Sequence, residues 1–256
     1  MTSYCERYLG LTGRVVVVTG GFGGLGSAMA KALIEAGAKI ALIARNIATA
    51  NAPSEALLLR ADVRSHAEVQ AAFKRVFDAY GTVTCLINNA GVYLDNRITD
   101  KSFLNNWRTL IDTNLTGPAI CSSIASEYFI REKYGKIVNI GSAYSTYGHP
   151  QSAGYTASKT GVVGLTNALA AELGRNGVRA NAVLPGWFET PMNNGVQESP
   201  RGQFITNVTP LGRWGTGSDL AGVIVFLCAP ASDFISGAAI RVDGGYCISD
   251  RDYAHV

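Results

Sequence analysis

Short β-branched and apolar runs alternate along the chain with longer segments whose apolar positions recur at helical spacing. The runs 14–19, 39–43, 56–59, 83–87, 136–140, 179–183 and 239–242 predict strands. Val15-Val16-Val17-Val18 is apolar at every position instead of every second one, the pattern of a strand covered on both faces in a parallel sheet. Leu25, Met29, Ala32, Leu33 and Ala36 fall on one helical face, and Gly37 stands where a left-handed cap would end that helix. A second helix is expected over 65–80, ending at Gly81, and one bent helix or two over 103–133. Leu165, Leu169 and Leu173 mark the next, and Leu220, Val223, Ile224 and Leu227 the last. Strict alternation of strand and helix predicts right-handed βαβ units. The expected fold is α/β, a Rossmann-type doubly wound parallel sheet of about seven strands with helices on both faces. No repeat or linker interrupts the pattern, so 1–256 is expected to be a single domain.

Composition removes several classes of function. Twenty-two Lys+Arg against 19 Asp+Glu give a net charge of only +3, and the basic residues are scattered, so nucleic acid and anionic membranes are not expected partners. A content of 47% hydrophobic and 16% charged residues excludes disorder. The five cysteines are far apart and lack a C-x-x-C pairing with His, so neither a disulfide framework nor a metal site is expected. The first thirteen residues have no apolar core of a secretory signal, and the longest apolar stretch, 220–229, is about half a membrane span. These features predict a soluble, cytoplasmic protein.

The candidate chemistry begins after the first strand, at Thr19-Gly20-Gly21-Phe22-Gly23-Gly24-Leu25-Gly26. Glycines between an apolar strand and an amphipathic helix allow a tight turn and close approach of backbone to a pyrophosphate, which the helix N-terminus then attracts. Without a ligand, so many glycines would only cost backbone entropy. The second strand ends Ile43-Ala44-Arg45-Asn46, without the acid that would accept the ribose hydroxyls of NAD. Arg45 therefore favours NADP(H) over NAD(H), unless it is simply a solvated surface residue.

Tyr155 and Lys159 are four residues apart and so share a helix face. A neighbouring ammonium is expected to lower the phenol pKa from about 10 toward working pH, making Tyr155 a usable acid/base. Ser142, just beyond the fifth strand, is placed to hold a carbonyl oxygen. Singly, Tyr155 would read as a surface residue and Ser142 as a turn serine; together, at the carboxyl ends of parallel strands, they read as a site.

With Thr19-Gly20-x-x-x-Gly24-x-Gly26, Asn88-Asn89-Ala90-Gly91, Ser142, Tyr155 and Lys159 in this order, the chain resembles the short-chain dehydrogenase/reductase family over about 10–246. The resemblance implies hydride transfer between a nicotinamide and a ketone or secondary alcohol. It implies a catalytic tetrad of Asn114, Ser142, Tyr155 and Lys159, with Asn114 holding a water next to Lys159 and Lys159 also binding the nicotinamide ribose. It implies cofactor contacts from Gly20, Phe22, Gly24, Leu25, Gly26, Asp62, Val63, Asn89, Ala90, Gly91, Tyr155, Lys159, Pro185, Gly186 and Thr190, beside Arg45. It also implies a homo-oligomer, dimer or tetramer; Gly161 and Gly164 would let helices approach across a two-fold axis or make room for their own sheet.

Substrate contacts are expected from 143–151 and from a loop at about 186–217. His149 either binds a hydroxyl or carboxylate or merely forms a turn before Pro150. Trp187 and Phe188 pack the loop or touch substrate, and Arg213 is read as structural. The run Pro210 to Gly215 with Val242-Asp243-Gly244-Gly245-Tyr246 resembles the gluconate 5-dehydrogenase and deoxygluconate dehydrogenase branch, a pattern shared with 3-oxoacyl-carrier-protein reductases. A keto-sugar acid or polyol is the expected substrate, with 3-oxoacyl thioester reduction, a non-catalytic dinucleotide sensor and an assembly subunit as alternatives. An enoyl reductase is disfavoured, because that branch resembles Tyr with Lys six residues on. Two departures from the family stand out: only sixteen residues between Arg45 and Asp62, with Pro53 opposing a helix there, and a tail, 247–256, without a readable motif.

Overall fold

The computed structural model describes residues 3–47, 52–95 and 97–249. Seven strands form one sheet: β1 (Val15–Thr19), β2 (Lys39–Ala44), β3 (Leu57–Arg60), β4 (Cys85–Asn88), β5 (Gly135–Ile140), β6 (Val178–Pro185) and β7 (Ala239–Val242). Their order is β3-β2-β1-β4-β5-β6-β7, and every pairing is parallel, with Val16 opposite Ile40 on one side and Cys85 on the other. The fold is thus the expected doubly wound α/β sheet. The order reverses between β1 and β4, which opens a crevice at the carboxyl edge.

The helices are α1 (Tyr4–Leu9), α2 (Gly24–Glu35), α3 (His66–Tyr80), α4 (Phe103–Ile111), α5 (Gly117–Glu132), α6 (Ala153–Leu173), α7 (Pro200–Val208) and α8 (Gly217–Cys228). Side chains alternate across β1. Val16 and Val18 pack with Met29 and Leu33 of α2 and Ile224 of α8, whereas Val15 and Val17 pack with Phe73 of α3 and Ile124 of α5. Gly37, at φ +96°, and Gly81, at φ +77°, close α2 and α3 in the left-handed conformation that glycine adopts without a Cβ penalty. Among the described residues no helix is long and apolar enough to cross a membrane.

Two helices have no counterpart in the hydrophobic pattern. α1 buries none of its residues, so it carries no apolar stripe to read. α7 does carry start signals, the Ser199 cap and Pro200 in the first turn, but its buried face is only Gly202, Ile205 and Val208. The segment 103–133 is the bent helix of the two expected forms: α4 runs without a gap into α5 through a π-helical turn, Asp112–Thr116. Gly161 makes room for Leu115 of that turn, which a Cβ would approach to 2.8 Å, and not for the sheet; Gly164 faces open space. Among the described residues of 46–56 there is no helix.

A buried polar ladder ties the central strands to both neighbouring helices. Asn88 Nδ2 donates to Asn139 Oδ1 (2.8 Å) and Ser122 Oγ (3.0 Å), and Asn139 Nδ2 donates to Thr166 Oγ1 (2.9 Å). Such bonds add little over water but leave costly orphans when one partner goes. Asn139→Ala is expected to lower unfolding free energy by about 2–4 kcal/mol, read as a shifted urea midpoint; an unchanged midpoint would show the ladder to be dispensable.

Candidate active site

The glycine turn is fixed to β4 by one side chain on each strand. Thr19 Oγ1 accepts the amides of Asn89 (3.0 Å) and Ala90 (3.1 Å), while Asn89 Nδ2 donates to the carbonyls of Thr19 (3.1 Å) and Gly20 (2.9 Å). Gly20 has φ +66°, and a Cβ there would lie 2.8 Å from Ala90 Cα; at Gly26 it would lie 2.3 Å from the Gly20 carbonyl. Phe22 is buried in the core, so at the turn it offers backbone. α2 opens at Gly24 without a side-chain cap on its first amides, and open space adjoins Gly23. A helix start without a side-chain cap, with its positive dipole end, suits an anionic pyrophosphate.

The second half of the site lies beyond β4 and β5. The Ser142 amide donates to Ser145 Oγ (3.2 Å), which itself donates to the Lys159 carbonyl (2.7 Å), so the turn after β5 is locked to α6. Lys159 is buried, and its Nζ donates to the Ile140 carbonyl (2.7 Å). Asn114 sits in the π-helical turn, which aims it at the β4 extension: Oδ1 accepts the Val92 amide (2.8 Å), and Nδ2 donates to the Val92 carbonyl (2.9 Å) and Ser158 Oγ (3.3 Å). A Cβ on Gly91 would stand 3.3 Å from Asn114 Oδ1 and 3.5 Å from Lys159 Nζ. Gly91 is therefore the window between these two side chains.

One cavity gathers much of the expected set: Leu25, Asn89, Gly91, Ser142, Tyr155, Lys159, Pro185, Gly186 and Thr190 all line it. Gly24 lies against Thr190, which closes the turn onto the loop after β6. Asn114 stands behind the Gly91-Val92 wall. Val63 is buried under Gly117. Arg45 is exposed at the end of β2, and its charge, with that of Arg64, holds Asp62 below the usual carboxylate range. The principal cause is the Arg64 side-chain hydrogen bond, with Nη2 2.6 Å from Asp62 Oδ2.

The expected depression of the Tyr155 phenol by Lys159 is reversed. Burial dominates and pushes Tyr155 up to about 12, against a weaker downward pull from the Ser142 hydroxyl that hydrogen-bonds it. Lys159 Nζ is 5.8 Å from the Tyr155 ring centre and directed at Ile140, and burial brings its own pKa down to about 8. Tyr155 is therefore held protonated, as a proton donor to a ketone oxygen must be.

The loop after β6 resolves the remaining open readings. Phe188 is buried and Gly215 packs on its ring; a pair of bonds, Glu189 N to Gly215 O and Gly215 N to Trp187 O (2.9 Å each), closes the loop. Trp187 lines the cavity and meets Tyr144 edge-on at 6.3 Å. Arg213 is structural, ion-paired to Asp219 at 2.7 Å. His149 stacks on Tyr144 at 5.0 Å. Of the tail, only residues through Ser249 lie within the described range: Tyr246 is buried beside Trp214, and 250–256 fall outside it. Sequence reasoning missed Tyr93 and Arg201, which also line the cavity. The helix-start signals at Ser199 and Pro200 could have led to Arg201; nothing comparable marks Tyr93.

The family model described as "Enoyl-(Acyl carrier protein) reductase" matches residues 20–247. A 3-oxoacyl-[acyl-carrier-protein] reductase of Synechocystis is 37% identical, covering 92% of this chain and 97% of its own. One from Thermotoga maritima is 34% identical, covering 93% and 98%. The crystal structure of a gluconate 5-dehydrogenase from Burkholderia cenocepacia, in complex with NADP and tartrate, superposes with a TM-score of 0.90 at 32% identity, covering 96% of this chain and all of that one. The chain belongs to the short-chain dehydrogenase/reductase family, and it is an NAD(P)-dependent oxidoreductase.

Lys159 binds its proton less tightly folded, at about 8, than unfolded, at 10.5. Between those values the unfolded chain holds the extra proton, so this group's contribution to stability rises with pH from about 8 to 10.5. Wild type is expected to gain stability relative to Lys159→Met across that window, measured by urea unfolding at constant ionic strength. Parallel pH curves for the two proteins would show that the amine is not depressed.

Proposed function

We propose that this chain is an NADP(H)-dependent oxidoreductase that interconverts a secondary alcohol and a ketone, with Tyr155 as acid/base and a keto-sugar acid or polyol as substrate. The observation that carries this reading is the convergence of a protonated Tyr155, its hydrogen-bonded Ser142 and a buried Lys159 on one cavity. The whole chain, 1–256, acts as one catalytic domain in this reading, working in the cytoplasm as a homo-oligomer, as in the resemblance drawn from sequence.

The cofactor, when bound, supplies or accepts the hydride at the substrate carbon. The residues for it are the amides of 20–26 for the pyrophosphate, Asp62, Val63, Asn89, Ala90 and Gly91 for the adenosine side and the strand ends, and Lys159, Pro185, Gly186 and Thr190 for the nicotinamide side. In ketone reduction Tyr155 Oη gives its proton to the carbonyl oxygen while Ser142 Oγ donates a hydrogen bond to the same oxygen and holds it in place. The tyrosinate left behind faces the Lys159 charge, which favours it just when it forms. Lys159, whose pKa burial brings down to about 8, is suited to return the proton, and Asn114, across the Gly91 window, would hold the water that connects Lys159 to solvent.

Arg45 supports the 2′-phosphate of NADP(H): it is exposed at the strand end where an acid would select NAD. Similarity to 3-oxoacyl-carrier-protein reductases favours a second reading, reduction of a 3-oxoacyl thioester.

Initial rates of NADPH oxidation with a 5-keto-sugar acid and with an acetoacetyl thioester separate these substrates. Tyr155→Phe is expected to lower kcat at least about a hundredfold while NADPH affinity, followed by cofactor fluorescence, stays within about threefold. Retained turnover would remove Tyr155 from the acid/base role. Arg45→Ala should lower the NADPH to NADH ratio of kcat/KM by about tenfold or more, and an unchanged ratio would assign Arg45 to the solvated surface.

A further inference from the structure

The cavity carries a cation that the hydride-transfer chemistry does not use. Arg201, in the first turn of α7, lines the cavity. Its Nη2 donates to Tyr144 Oη (3.2 Å) and to His149 Nε2 (2.9 Å), and its guanidinium lies over the Trp187 ring, 5.2 Å from the centre. Among the described residues no carboxylate lies within ion-pairing distance of it. Two other cations nearby have partners: Arg213 pairs with Asp219, and Lys159 donates to a carbonyl.

The surroundings fix Arg201 instead of neutralising it. To accept from Arg201, His149 Nε2 must be unprotonated, which leaves the Nδ1 proton for Ser152 Oγ at 3.4 Å. Ser152 in turn meets Tyr93 Oη at 2.9 Å, and Tyr93 donates to Asp95 at 3.2 Å. The turn that presents His149 contains Gln151 at φ +67°, an uncommon conformation for a residue with a side chain. A neutral histidine stacked on Tyr144, with Trp187 across from it, thus forms an aromatic cradle for a planar cation. Both protein bonds use Nη2, and a guanidinium has five donors in a rigid fork matched to a carboxylate.

We propose that Arg201 is a carboxylate clamp, and that the physiological substrate bears its carboxylate at the end remote from the reacting carbonyl. This rests on the proposed reading of the cavity as a ketone-reducing site. Remoteness rests on Tyr144, whose ring packs 5.9 Å from the Tyr155 ring while its hydroxyl, at the far end of that ring, accepts from Arg201. A 2-oxo acid, with carbonyl and carboxylate on adjacent carbons, does not bridge that separation. An open-chain keto-sugar acid with the ketone near its far end does, and a neutral polyol leaves the cation without its anion.

The test compares 5-ketogluconate with L-sorbose, which has an alcohol in place of the carboxylate, in wild type, R201Q and R201K. Two readouts are used: kcat/KM for NADPH oxidation, and calorimetric binding of 5-ketogluconate to enzyme saturated with NADP+, which needs no turnover. In R201Q the preference for the acid over the neutral ketose is expected to fall roughly tenfold to a hundredfold, with binding of the acid weakened in parallel. R201K should keep part of the preference, as a charge without the fork. A preference that moves by less than about threefold in R201Q, with unchanged binding, overturns the clamp while leaving the ketone-reducing site intact. Turnover of an acetoacetyl thioester alone, with no 5-ketogluconate binding, overturns the clamp and the keto-sugar acid as substrate while leaving ketone reduction standing. Binding of 5-ketogluconate that depends on Arg201, without turnover, supports the clamp and removes this keto acid as the reacting substrate.

Discussion

The site depends first on the junction between the ends of β1 and β4. Parallel strands end with unpaired backbone groups at the same edge, and here two of those ends are pulled together by Thr19 and Asn89, which exchange bonds with each other's backbone. The approach is so close that a Cβ on Gly20 would strike Ala90. This one constraint sets the path of the glycine turn on one side and of Gly91 and Val92 on the other. The first path leads to the uncapped start of α2, the second to Asn114 and Lys159. The uncapped start of α2 and the Asn114-Lys159 side of the cavity are therefore both reached from a single knot of backbone bonds.

A second constraint is the break between α4 and α5. Asn114 reaches Val92 because the helix adopts a π-helical turn at 112–116; such turns insert a residue and re-aim side chains. Half-buried Leu115 of this turn lies against Gly161 of α6, where a Cβ would stand 2.8 Å from its Cδ2. The same α6 carries Tyr155 and Lys159, so the turn that aims Asn114 also packs on the helix that presents them.

The strands and the first three core helices were legible because a buried parallel strand and an amphipathic helix differ in period, and β1 and α2 are strong examples of each. Gly37 and Gly81 were legible for the same local reason, since only glycine takes a positive φ without strain. Tyr155, Lys159 and Ser142 were legible through spacing and order. The direction of the Tyr155 shift was not. Proximity in sequence says that an ammonium is near; it does not say that Nζ is drawn to the Ile140 carbonyl, nor how completely the ring is enclosed, and in a desolvated site enclosure wins. Arg201 was illegible for a different reason: it is one of many surface arginines by composition, and only the chain's return over the carboxyl edge, pinned by Ile205, Val208, Trp214 and Tyr246, brings it to the cavity.

The two halves of the cavity consequently obey different physics. The half suited to a dinucleotide is built largely from backbone, glycine and helix termini, whose geometry depends on φ and close approach and so tolerates few residue types. The other half is lined by Tyr93, Tyr144, Trp187 and Arg201, with His149 behind Tyr144, side chains from three loop segments and a short helix that pack on one another and on Tyr155. Changing one of these alters what the cavity recognises without disturbing the strand ends, because no backbone bond of the knot between Thr19 and Asn89 passes through them. In the proposed reading, recognition can thus vary while Ser142, Tyr155 and Lys159 stay in place, and the identity of the substrate is to be read from the aromatic and charged wall.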